Sequence, residues 1–98
     1  METNRVLMIR RAILTALFEY KSYQDIDTVF CNPSVINVNP TREELKVEWA
    51  KLISFKLIEP LPEYNGTVCR LTADVLKTME ETNRNPPRDP RLWGPGVC

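Results

Sequence analysis

Residues 40–72 read PTREELKVEWAKLISFKLIEPLPEYNGTVCRLT, and the order of elements in this stretch decides the fold. Thr41 followed three positions on by Glu44 is a capping box: the threonine oxygen takes an orphan backbone N–H, and the glutamate reaches back to the cap. Pro40 keeps the chain before it non-helical. Leu45, Trp49, Leu52 and Ile53 then recur at helical spacing, which sets one buried face. Glu43, Val47, Ala50 and Ser54 fall on the opposite face, with Lys46 and Lys51 at its edges. After Phe55 the period changes. Residues 57–61 and 67–71 are β-compatible runs, and Asn65-Gly66 between them suits a hairpin turn because both residues tolerate positive φ. Pro60 and Pro62 cannot donate to a ladder, so the first of these strands is predicted to be short and at a sheet edge.

Outward from this centre, residues 3–20 form the strongest helical pattern, capped by Thr3 or Asn4. Val6, Ile9, Ile13, Ala16, Leu17 and Tyr20 make one apolar face. Leu7, Leu14 and Phe18 make a second stripe beside it, flanked by Arg10 and Arg11. Either the chain's own core or a second subunit covers that stripe, since an apolar patch of this size is costly in water. Residues 21–40 are less legible. Ser22 and Asp25 suit the start of a short helix carrying Ile26, Val29 and Phe30, ended by Asn32-Pro33. Residues 34–38 alternate weakly and read as a short strand or a loop. Beyond the hairpin, Thr72 caps a helix of about ten residues with Val75, Leu76 and Met79 facing inward.

From Asn85 onward the chain is rich in proline and glycine, a composition that excludes helix and central strand. The predicted division is therefore a folded domain over residues 1–83 and a tail over residues 84–98. Leu92 and Trp93 are the tail's apolar anchors, against the domain or against a neighbouring subunit.

The totals limit the function. At 98 residues and 43% hydrophobic content the chain makes one domain with one modest core. Thirteen basic residues balance thirteen acidic ones, so there is no global field to attract nucleic acid or an anionic membrane, and local patches must do it. No apolar run approaches a membrane span and the N-terminus does not read as a signal peptide, so the expected location is the cytoplasm. Cys31, Cys69 and Cys98 are far apart with no histidine anywhere in the chain. That set does not make a zinc site, and buried thiols are expected. Without a histidine, a nucleophile beside a base, or a glycine-rich phosphate loop, no enzyme, cofactor or metal is expected.

Helix, short helix, helix, hairpin, helix: over residues 4–81 the chain resembles a winged helix-turn-helix domain. Two runs carry the likeness. Leu52-Ile53-Ser54-Phe55-Lys56-Leu57-Ile58 is similar to that family's passage from third helix into first wing strand. Cys69-Arg70-Leu71-Thr72-Ala73-Asp74-Val75 is similar to its second wing strand and following helix start. Lys56 and Val75 stand where the family usually has glycine, and the link over residues 32–40 is longer than the usual turn. The resemblance implies an α+β, mainly helical fold with three N-terminal helices, a two-stranded β-wing and a C-terminal helix. It also implies a transcription regulator that binds duplex DNA as a homodimer, with the third helix in the major groove and the wing beside a phosphate backbone. Carried over residue by residue, the DNA-binding set is Thr41, Arg42, Glu43, Lys46, Val47 and Ala50, with Tyr64, Asn65 and Arg70 in or near the wing. The candidate dimer interface is Leu7, Leu14, Phe18, Leu92 and Trp93. Glu43, Glu44, Glu59 and Glu63 oppose phosphate binding, so the alternative is a winged helix that docks or assembles with another protein.

Overall fold

The computed structural model describes residues 3–94. In chain order the elements are α1 (Asn4–Tyr20), β1 (Gln24–Asp25), α2 (Ile26–Phe30), α3 (Pro33–Val38), α4 (Arg42–Ser54), β2 (Ile58–Pro60), β3 (Val68–Leu71), α5 (Ala73–Glu81) and α6 (Pro90–Trp93). The architecture is α+β and mainly helical, with one antiparallel three-stranded sheet of order β1-β3-β2.

The decisive stretch folds as its sequence predicts. The Thr41 hydroxyl accepts from the Glu44 amide and the Glu44 carboxylate accepts from the Thr41 amide, so both halves of the capping box are present. Leu45, Trp49 and Leu52 are buried on one face of α4, and Ile53 packs partly against the same core. β2 is an edge strand, paired with β3 alone in the register Ile58↔Leu71, Glu59↔Arg70 and Pro60↔Cys69. The period of two then sends Cys69 and Leu71 into the core and Arg70 out beside Glu59. Asn65 and Gly66 both take positive φ, 51° and 83°, in a turn closed by the Thr67 amide donating to the Tyr64 carbonyl. The connection is longer than a two-residue loop, because Pro62–Tyr64 forms a single 3-10 turn ahead of it.

α1 lies at the centre. Ile9, Ile13, Leu14, Ala16 and Leu17 are almost wholly buried, and the helix packs against α3, α4 and α6. Leu7, Leu14 and Phe18 are buried as well, at 5%, 0% and 8% exposure, so the stripe assigned to a dimer contact is covered by the chain's own core. α5 buries Val75 and Met79 and half-buries Leu76, on the expected face. Its cap differs: the Thr72 hydroxyl donates to the Leu57 carbonyl instead of accepting from the helix.

Three further expectations are corrected. Residues 34–38 are helical. Asn32 caps α3 by accepting from the Ser34 amide, Pro33 supplies the preset φ of a first helical residue, and Asn39 closes it in the left-handed region. Burial of Val35 then outweighs the poor helix propensity of the run. The link ahead of α4 therefore shrinks from the expected nine residues to Asn39-Pro40-Thr41. α2 is capped by Asp25 accepting from the Asp27 amide, not by Ser22, and it follows β1, a two-residue strand the sequence did not announce. Within the described residues the C-terminal segment is a strap that runs into a short helix. Asp89 caps α6, whose Leu92 is fully buried against α1. Trp93 is half-buried, its indole N–H donating to the Pro87 carbonyl and its ring lying 4.3 Å from the Arg11 guanidinium carbon. Both residues assigned from the tail to a dimer contact are thus engaged within the chain.

Candidate functional site

Because Leu45, Trp49 and Leu52 turn inward, α4 presents the opposite side to solvent: Thr41, Arg42, Glu43, Lys46, Val47, Ala50 and Ser54 are all exposed. Val47 is 49% exposed, unusual for a valine on a helix with a full core. Two contacts hold this helix in place. At its N-terminus the Arg5 guanidinium reaches from α1, makes two hydrogen bonds of 2.7 and 2.8 Å to the Glu44 carboxylate, and donates to the Asn39 carbonyl. One side chain thereby joins the end of α3 to the start of α4. The Arg5 hydrogen bond and the Thr41 amide hold the Glu44 carboxyl down at about 2. At the middle of α4 the Trp49 indole N–H donates to the Gly66 carbonyl at 2.7 Å, which fixes the tip of the β2–β3 ribbon to the helix.

The ribbon contributes Tyr64, Asn65 and Arg70, all exposed. The winged-helix resemblance assigned nine residues to DNA binding, six on α4 and its cap and three in or near the ribbon, and each is solvent-exposed. Two of the arginines, however, already have partners. Arg42 pairs with Asp27 and lies over the Phe30 ring, 4.9 Å from its centroid; Arg70 pairs with Glu59 and lies over Tyr23 at 4.6 Å. The hydrogen bond to Asp27 raises the pKa of Arg42 and that to Glu59 raises the pKa of Arg70, so both remain cations. Tyr23 and Asp27 are the two ends of one short segment, which at full extension spans about 14 Å between Cα atoms. Both arginines are thereby anchored to the segment over residues 23–30. Solvent screens exposed pairs of this kind, so a stronger anion can displace the carboxylate.

Sequence reasoning missed Glu48 and its pairing with Arg10. Glu48 sits on the inner face of α4 and accepts from Arg10 Nε at 2.7 Å, with the two side chains 5% and 1% exposed. Arg10 also donates to the Arg91 carbonyl of the strap and lies 5.2 Å from the Phe55 ring centroid. A signal was present, since Glu48 falls at helical spacing among Leu45, Trp49 and Leu52. Of the thiols, Cys31 is exposed, contrary to expectation, while Cys69 is buried and its thiol is pushed up to about 11 by that burial. Cys98 lies outside the described residues. Among the described residues no three acidic or thiol side chains gather to hold a metal ion, and no helix is long and apolar enough to cross a membrane. Comparison with protein-family models, with curated proteins and with solved structures finds no match.

Proposed function

We propose that this chain is a winged-helix protein that binds duplex DNA as a transcription regulator, with α4 in the major groove and the β2–β3 ribbon as a wing against the phosphate backbone. The observation that carries the reading is the outward face of α4. It is released from the core, follows α3 after a link of three residues, and is joined to the ribbon tip through Trp49 and Gly66. The sheet order, with the edge strand β2 outermost, agrees with a wing. Arg42, Lys46 and Arg70 are the phosphate- and base-seeking groups, Thr41 and the first turn of α4 offer backbone N–H groups to a phosphate, and Val47 and Ala50 fit against apolar base edges. Pairing of two copies on DNA would use surface other than Leu7, Leu14, Phe18 and Leu92, which are interior to each chain.

Three cationic contacts predict a salt slope of about −2.7, or roughly a 40-fold loss of affinity between 50 and 200 mM salt. Fluorescence anisotropy with mixed-sequence duplex DNA tests this. Arg42→Ala and Lys46→Ala should each weaken binding and lower the slope by about one. Absence of binding at low salt refutes the reading.

A second reading rests on a specific observation: Arg42 and Arg70 are neutralised in place by Asp27 and Glu59, which leaves the Val47-Ala50-Ser54 strip as the least charged part of the face. A chain that ignores DNA but is captured through that strip by a protein partner would be an assembly module.

A further inference from the structure

All eight arginines of the sequence lie within the described residues, and seven are engaged inside the chain. Arg5, Arg10, Arg42, Arg70, Arg84 and Arg91 each bond a carboxylate, and Arg11 donates to the Leu92 carbonyl. Arg88 has no hydrogen bond or ion pair among the described residues. It lines a cavity of about 680 Å³ between the C-terminal half of α5 and the strap. Pro86, Pro87 and Trp93 give this cavity an apolar wall, while Thr78 and Thr82 face them from α5. The volume lies within the range of small-molecule sites, about 300–1,000 Å³.

The walls are fixed before any ligand arrives. Thr82 and Asn85 bond reciprocally, the Thr82 hydroxyl to the Asn85 carbonyl and the Asn85 amide to the Thr82 carbonyl, which holds the corner where α5 turns into the strap. The indole N–H of Trp93 is satisfied by Pro87, so its ring acts here as an apolar surface. The Thr78 hydroxyl, like Arg88, is uncommitted among the described residues. An apolar wall, one hydroxyl and one guanidinium without a partner among the described residues define the complementary molecule. Its body is flat and apolar, and it carries one carboxylate for the Arg88 fork.

We propose that the cavity between α5 and the strap is a binding site for a small aromatic carboxylic acid, with Trp93, Pro86 and Pro87 against the ring and Arg88 on the carboxylate. The site is independent of the DNA reading, because none of its residues lies on α4 or the ribbon. Occupancy braces the strap, whose Arg91 and Leu92 carbonyls hold Arg10 and Arg11 of α1.

The test is a ¹⁵N NMR titration of the full chain with benzoate, indole-3-acetate and the neutral indole-3-acetamide. Saturable shifts are expected at the Trp93 indole N–H and the Thr78 and Thr82 amides, with the Trp49 indole still. The acetamide should bind about tenfold more weakly than the acid, and Arg88→Gln should weaken the acid about tenfold while leaving the thermal midpoint unchanged, since a charge-assisted hydrogen bond is lost from an exposed side chain. The proposal is overturned if neither acid gives saturable shifts up to its solubility limit, if acid and amide bind equally, if Arg88→Gln binds as tightly as wild type, or if the shifts gather on α4.

Discussion

Replacing Glu48 with leucine would leave the Arg10 guanidinium, whose side chain is 1% exposed, without its carboxylate partner. Removing one member of a buried pair costs about 3–5 kcal/mol, because the remaining charge stays buried without its counter-charge. For a domain of this size the whole stability is about 5–15 kcal/mol, so Glu48→Leu should remove about a fifth of it or more and lower the urea midpoint accordingly. Arg10→Met should cost at least as much. It strands the Glu48 carboxylate and also the Arg91 carbonyl, which accepts from Arg10 at 2.7 Å, and a buried acceptor left unpaired adds about 1–3 kcal/mol. The double variant Arg10→Met/Glu48→Leu removes both charges and leaves the Arg91 carbonyl unpaired, so it should be destabilised by about 1–3 kcal/mol, less than either single change. Equilibrium urea unfolding of the four proteins, followed by Trp49 and Trp93 fluorescence, gives the coupling directly. Single effects below about 1 kcal/mol that simply add in the double variant would refute the claim that this pair is a desolvated, mutually dependent element of the core.

Three other changes probe different parts of the molecule. Asp27→Asn releases Arg42 and removes a negative charge from the proposed DNA face, so anisotropy at low salt should record a gain of a few-fold in DNA affinity, whereas Arg42→Ala records a loss. Gly66→Ala forces a Cβ onto a residue at φ 83°; the nearest heavy atom, Ile53 Cδ1, is at an ordinary 3.7 Å, so the expected loss of about 1–2 kcal/mol in urea unfolding is backbone strain and not collision. Glu44, held down at about 2 from an ordinary 4.5, contributes stability that is complete above the ordinary value and lost as pH falls through the depressed one. Thermal midpoints taken downward from about pH 5 should therefore fall, and Glu44→Gln should flatten that decline.

The parts of the fold written in local chemistry were legible. Thr41 with Glu44 and Asn65 with Gly66 act within four residues of themselves, and spacing alone turned Leu45, Trp49 and Leu52 inward. α3 was not legible because Val35, Ile36, Asn37 and Val38 are poor helix formers, and their helix depends on Asn32 and Asn39 at its ends and on α1 beneath Val35. β1 has only Gln24 and Asp25, and becomes a strand because β3 offers it an open edge. The strap's proline and glycine content hid α6, whose Leu92 is buried only because α1 leaves a place for it. At the candidate site the exposed face of α4 followed from its buried face. The carboxylates that answer Arg42 and Arg70 did not, since Asp27 lies 15 positions from Arg42 and Glu59 lies 11 from Arg70. Pairing across such gaps is a property of the assembled fold.

The hydrogen bond from Arg10 to the Arg91 carbonyl closes a loop of 81 positions, and it has a consequence for biosynthesis. Arg10 leaves the ribosome 81 residues ahead of Arg91. At translation rates of about 5–20 residues per second, the nascent α1 waits several seconds with the seat of Leu92 uncovered. Final locking of the first helix is thus postponed until the strap has emerged, and a chain halted before it would carry an open apolar seam within reach of chaperones and proteases.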